Sequence, residues 1–180
     1  MSTTTYISDP VTLGTGLLLA RLILGVLLVG HSSQKLFGWF GGYGIAGTAG
    51  YFEQLGFRPG RLFVIIASVS EAASGILIAL GLLGPIGPAL LLPVMIVAAI
   101  SVHWKNGLFA AANGIEVPLL YATGAIALAF TGYGPFAFDA ALGIDHAWTP
   151  EIKVAALALG VVGGVLNLLA RRSTAVAATA

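Results

Sequence analysis

From Leu62 to Leu83 the chain reads LFVIIASVSEAASGILIALGLL, twenty-two residues with a single charge, Glu71. A helix needs about 20 mostly apolar residues to cross the hydrocarbon core of a bilayer, and this run has that length. Three others do as well: Leu13 to about Gly30, Ile86 to Val102, and Val154 to Ala170. A fifth, Val117 to Phe130, is short and reaches crossing length only with Glu116 and Tyr133 at the two interfaces. Lipid is the only solvent that suits such a chain, because only 8% of its 180 residues are charged against roughly 25% in a soluble domain. The expected fold is all-α: a polytopic membrane helical bundle of five crossings, with the lipid bilayer as its principal partner.

Composition also excludes several functions. A net charge of +1 and the lack of any Lys/Arg run leave no footing for nucleic acid. Without cysteine there are no disulfides, thiolate nucleophiles or cysteine-ligated clusters. The opening MSTTTYISDP lacks the basic region and cleavage site of a secretory signal, so the first apolar run reads as a retained helix. The closing STAVAATA is low in complexity and is expected to fray.

The connections order the crossings. GLLGPIGP, Gly81 to Pro88, is a tight Gly/Pro turn that makes the second and third crossings an antiparallel hairpin. TAGYFEQLGF, Thr48 to Phe57, alternates apolar and polar residues at helical spacing and reads as a short amphipathic helix at the interface. Five crossings put Lys35, Arg58, Arg61, Lys105, Arg171 and Arg172 on one side, with Lys153 the single basic residue opposite. The excess of Lys and Arg marks the cytoplasmic face, so the N-terminus is expected outside and the C-terminus in the cytoplasm.

Two charges fall deep inside spans. Arg21 lies nine residues before Gly30, and Glu71 nine residues after Leu62, so their depths agree if those residues end the two helices on one side. Ala67, Glu71, Gly75 and Ala79 form a small-residue stripe on one helix; Gly14, Arg21, Gly25, Ser32 and Lys35 form one on the other. Such stripes let helices approach closely, and an intramembrane ion pair between Arg21 and Glu71 is the expected outcome. The pair serves either as a packing pin or as a relay or ligand donor.

The remaining chemistry gathers at the predicted cytoplasmic mouth. GHSSQKLFGWFGG closes the first crossing and SVHWKNGLF the third, placing His31, Gln34, Lys35, His103, Lys105 and Asn106 at one depth with Glu53 and Glu116. The interleaved Phe37, Trp39, Phe40, Tyr43 and Trp104 suit an interfacial belt. Paired histidines can bind metal, hydrogen-bond a quinone carbonyl or pass protons near neutral pH. No further ligand stands at metal-site spacing, so no metal is expected, and GWFGGYGIAG follows a helix rather than a strand, which removes a dinucleotide reading.

The arginine-bearing first helix ending in HSSQKLFGWFGG, then TAGYFEQLGF, SVSEAASGILIALGLLGPIG and VHWKNGLF, resemble in that order the DoxX family of small bacterial membrane proteins. The likeness covers roughly Leu17 to Asp139. It implies a bacterial plasma (inner) membrane location and a single membrane domain, residues 1–180. That domain would comprise a DoxX-like four-helix core over about 13–139, and the chain departs from the family pattern in one additional C-terminal transmembrane helix over about 151–172. Family members include small subunits linked to thiosulfate:quinone oxidoreductase and others tied to redox stress. By that analogy Arg21, His31, Lys35, Glu71, His103 and Asn106 are the residues to watch, and no reaction is assigned to any of them.

Three functions are open on these grounds. The first is a membrane subunit of a quinone-linked oxidoreductase or redox-stress complex, with a bound quinone in a polar pocket of His31, Lys35, His103, Asn106, Glu53 and Glu116. Its electrons would come from a soluble or membrane redox enzyme as partner. The second is a non-catalytic membrane anchor or assembly factor, docking through the cytoplasmic loops or the apolar loop Tyr133 to Glu151. The third is a small transporter, which would need a homo-oligomer because five helices with one buried pair are few for transport.

Overall fold

The structure, a computed structural model, describes residues 9–172. The readings of Met1–Ser8 and of the tail Ser173–Ala180 concern residues outside that range. Helix α1 spans Pro10–Phe37, α2 Gly44–Gln54, α3 Gly60–Leu80, α4 Ile86–Ala98, α5 Glu116–Thr131, α6 Phe138–Ala141 and α7 Pro150–Leu169. Among the described residues there is no strand.

Local chemistry sets the helix ends. Asp9 accepts from Thr12 N at 3.0 Å and Pro10 occupies the first turn of α1, where its missing N–H costs nothing. Thr149 and Pro150 open α7 in the same way. Helix α1 continues seven residues past Gly30 and stops at Gly38, whose φ of 75° closes it in the left-handed conformation. His31, Gln34 and Lys35 therefore belong to the helix, not to a loop beyond it. Helix α4 carries Pro93 within it and widens into a π-type turn over Ala99–His103 before a 3-10 turn at Trp104–Asn106.

Antiparallel α1 and α3 form the closest pair. A methyl group on Gly25 would overlap the Gly75 carbonyl, and Ser32 Oγ donates to Ser68 O at 2.8 Å. The small-residue stripes thus meet, as the sequence suggested, and they set a register that puts Arg21 opposite Ala79. Helices α4 and α7 run parallel, with Gly160 against the Ala89 carbonyl and Gly164 against Ile96. Pro93 has no N–H to give the Ala89 carbonyl, which faces Gly160. Leu28, Ile78, Leu91, Met95, Ala125 and Leu128 form the apolar core between α1, α3, α4 and α5.

Among the described residues four helices are long and apolar enough to cross a membrane: α1, α3, α4 with its continuation to Asn106, and α7. Helix α5, at 16 residues, is only about 24 Å long. It nevertheless runs from one end of the bundle to the other. Ile115 N donates to Gly107 O beside its start, and Tyr133 Oη donates to Gly84 O in the α3–α4 turn beyond its end. Leu19, Ile23, Val26, Leu159, Val162 and Leu169 stand exposed around the outside, the surface expected of a bundle solvated by acyl chains. The chain is an all-α, multi-pass membrane protein.

Candidate functional site

Two buried polar centres occupy opposite ends of the bundle. At the α3–α4 hairpin end, the Arg21 side chain is 2% exposed and donates to Ala79 O at 3.1 Å and to Phe136 O. Gly81, left-handed at φ 66°, leaves the space beside α3 that the guanidinium fills. The cation thus sits against the last carbonyls of α3, where the helix dipole favours positive charge. Asp139, 3% exposed, accepts from Leu83 N at 2.8 Å, Gly84 N at 2.7 Å and Trp148 Nε1 at 2.8 Å. Burial and the neighbouring carboxylate of Asp139 push the Tyr133 phenol well above its ordinary value, with Arg21 opposing.

The expected pairing of Arg21 with Glu71 does not form. Counting depth from Gly30 placed the two side by side, but α1 ends at Phe37 and its register sets Arg21 against Ala79. Ala79 lies eight residues beyond Glu71 along α3, about 12 Å away. Glu71 pairs instead with Lys35, whose Nζ donates to Oε2 at 2.5 Å. The carboxylate is 2% exposed and the lysine side chain 27%.

The Lys35–Glu71 pair borders a partly open cavity of about 420 Å³, within the range of small-molecule sites. His31, one turn before Lys35, faces the same space and is fixed at both nitrogens. Gln34 Nε2 donates to Phe40 O at 3.2 Å, which leaves Gln34 Oε1 as an acceptor 3.2 Å from His31 Nδ1. Nδ1–H therefore donates to Gln34, and Nε2 accepts from the Tyr121 hydroxyl at 3.1 Å. The imidazole meets the Tyr121 ring edge-on, at 81° and 5.7 Å between centroids. The remaining walls are largely apolar, with Phe57, Phe63, Val94 and Met95 among them, and α2 closes one end through Thr48, Tyr51 and Phe52. The amphipathic segment anticipated at the interface is thus also a wall of the cavity.

Of the six residues expected to form the polar pocket, His31, Lys35 and His103 line this cavity, and Glu71 joins them. His103 Nδ1 donates to Asn113 O at 2.8 Å, an orientation made possible by the π-type turn that carries it. The other three do not reach the cavity lining. Asn106 Nδ2 donates to the same Asn113 carbonyl at 3.1 Å. Glu53 accepts from Gly60 N at 3.0 Å and ties α2 to the start of α3. Glu116 accepts from Ala110 N at 2.7 Å and closes the loop before α5. Tyr121 and Asn167 line the cavity without having been singled out in the sequence. Asn167 did leave a signal, as the one amide in the apolar stretch VVGGVLNLL. Among the described residues, no three His, Cys, Asp or Glu side chains gather as a metal site.

A helical bundle solvated by lipid, with an acid–base pair and a hydrogen-bonded histidine turned toward an inner cavity, defines a multi-pass membrane protein with an internal polar site. Residues 16–104 match the model of the DoxX family, and the chain belongs to that family. The matched stretch carries Arg21, His31, Lys35, Glu71 and His103, and ends before Tyr121 and Asn167. Searches of curated proteins and of solved structures gave no match.

Proposed function

We propose that the protein is the small membrane subunit of a quinone-linked oxidoreductase or redox-stress complex, and that the cavity receives a quinone ring. The membrane is the bacterial inner membrane, with the N-terminus outside and the α2 end toward the cytoplasm, as the Lys/Arg asymmetry indicates. The observation that carries this reading is the joining of the Lys35–Glu71 pair and the Tyr121–His31 hydrogen bond to one apolar-walled cavity of about 420 Å³.

The residues present suit such a group. The walls accept a flat apolar ring, and Lys35, which spends one of its three N–H donors on Glu71, has donors to offer a carbonyl oxygen. A bound quinone would supply the capacity to carry two electrons and two protons, the electrons exchanged with a partner redox enzyme. The chain supplies the proton path. A proton reaching the Tyr121 hydroxyl from the cavity passes to His31 Nε2, and Gln34 Oε1 holds the resulting imidazolium at Nδ1. Glu71 offsets positive charge at Lys35 throughout, and α2 limits the entry of water.

The test is purification of tagged protein in mild detergent from its own membranes, with mass spectrometry of bound quinones and co-purifying proteins. Quinone with a stoichiometric redox enzyme is the expected result. His31→Ala and Lys35→Met should then lose the quinone while retaining the partner. Recovery of the protein alone and free of quinone overturns the reading, and a partner retained by a protein that never carries quinone makes it an anchor.

A further inference from the structure

Helix α7 lies wholly outside the stretch that matches the family, yet it reaches the cavity. Asn167 lines the same space as His31, Lys35 and Glu71. It comes from another wall, because α7 packs on α4 and α5, whereas the acid–base pair comes from α1 and α3. Asn167 Nδ2 donates to Gly163 O of its own helix at 2.8 Å, which fixes the amide plane. Among the described residues Oδ1 has no hydrogen-bond partner, and the second N–H of Nδ2 has none. An asparagine that serves only to hold membrane helices together bonds across to another helix. This one does not.

The wall that carries it is anchored. One turn further along, Arg171 Nε donates to Leu55 O at 2.9 Å and its guanidinium lies 5.7 Å from the centre of the Phe57 ring. Arg172 N donates to Gly56 O at 2.9 Å. Leu55 and Phe57 themselves line the cavity, so the end of α7 is held to the segment that closes it.

We propose that Asn167 is a binding residue, and that the ligand is a ring bearing an oxygen at each of two opposed edges, one met by Lys35 and the Tyr121–His31 pair and the other by Asn167. This rests on the reading that the cavity holds a quinone-type ring, and it adds which ring. The amide suits a redox pair of that class. Its free N–H meets a carbonyl oxygen in the oxidised form, and its free Oδ1 meets a hydroxyl in the reduced form, with no change in its own protonation.

The experiment uses the full chain in lipid nanodiscs, with empty nanodiscs to subtract partitioning. Two probes are titrated calorimetrically: 1,4-naphthoquinone, with two opposed oxygens, and 1-tetralone, with one. Wild type is expected to bind the quinone more tightly. Asn167→Leu should weaken quinone binding about fivefold, the value of one hydrogen bond, and leave 1-tetralone unchanged; Asn167→Ala provides a second variant should the leucine fold poorly. An unchanged quinone affinity in both variants overturns the role of Asn167 while the cavity reading stands. Equal weakening of both probes makes Asn167 a packing residue and also overturns it. Wild type that binds neither probe overturns both readings together.

Discussion

The Lys35–Glu71 pair permits a test whose size follows from its exposure. Glu71 is 2% exposed and Lys35 27%, so the two single substitutions are unequal. Lys35→Met strands a buried carboxylate, and removing one partner of a buried pair costs about 3–5 kcal/mol. Glu71→Gln strands a lysine whose long stem can swing its ammonium toward the exposed side, and should cost about 1–2 kcal/mol, the loss of one charged hydrogen bond with partial relief. The double variant Lys35→Met, Glu71→Met removes both charges and should come within about 1–2 kcal/mol of wild type, because apolar replacement of a buried pair is often near neutral. Arg21→Met is the control. At two turns from Glu71, about 12 Å along α3, it should add to Glu71→Gln within about 0.5 kcal/mol. The assay is equilibrium unfolding in mixed detergent–SDS micelles, followed by tryptophan fluorescence. Equal stabilities for the Lys35→Met single and the double variant would refute the pairing, and strong non-additivity between Arg21 and Glu71 would restore the register first read from the sequence.

Other consequences can be measured on the same preparations. Asp139 accepts from Leu83 N at Oδ1 and from Gly84 N and the Trp148 indole at Oδ2, so Asp139→Asn, which keeps one acceptor oxygen, should cost about 2–3 kcal/mol, visible as a lower thermal midpoint. Gly25→Ala drives a methyl group into the Gly75 carbonyl and should cost about 1–3 kcal/mol; Gly124→Ala, whose nearest neighbour is Leu24 Cδ2 at 3.7 Å, should stay within about 0.5 kcal/mol. The Tyr133 phenol is raised by burial and by Asp139, so its contribution is complete below the ordinary phenol value of about 10 and is lost as pH rises beyond it toward the folded-state value. A pH series of unfolding midpoints from 9 to 12 should fall less steeply for Tyr133→Phe than for wild type; parallel slopes would show that another group controls alkaline stability.

The bundle was legible because its signal is crude and strong. Apolar runs of membrane length and the Gly/Pro turn at Gly81 to Pro88 leave little else for α3 and α4 to do. The stripes on α1 and α3 were legible for a related reason, since small residues recurring on one face matter only where another helix approaches. The error at Arg21 came from reading polarity as an exit from the membrane. His31, Gln34 and Lys35 looked like the end of a span after Gly30, yet the helix continues to Gly38, and these side chains are satisfied by the cavity and by one another. A spacing rule places a residue along a helix, but water and an internal cavity attract the same polar side chains. Glu53 and Glu116 show the same ambiguity from the other side. They stood at the right depth, but each is used by a backbone N–H seven and six residues away, local capping that charge alone does not reveal. Tyr121 was missed because nothing in α5 taken singly says which face meets the cavity, and Asn167 because its one clue, an amide in an apolar run, does not say what it faces.

The two buried centres differ in one chemical respect that bears on where function lies. Arg21 is held by carbonyl oxygens of Ala79 and Phe136, and neither a guanidinium nor a carbonyl exchanges protons at physiological pH. That arrangement binds α1 to the end of α3 and to the loop after α5, and the carboxylate of Asp139 and the phenol of Tyr133 beside it are spent on the turn groups Leu83 N, Gly84 N and Gly84 O and on the Trp148 indole. At the α2 end stand four side chains of acid–base type, Lys35, Glu71, His31 and Tyr121, beside the amides of Gln34 and Asn167. These four come from three helices and meet at one cavity. A bundle that needed only to be held together could have used carbonyl-bound arginines at both ends. A carboxylate, an amine, an imidazole and a phenol beside an apolar space are tolerated in lipid because each is paired or hydrogen-bonded, and it is this chemistry at the α2 end, which the carbonyl-bound Arg21 lacks, that the proposed quinone site draws on.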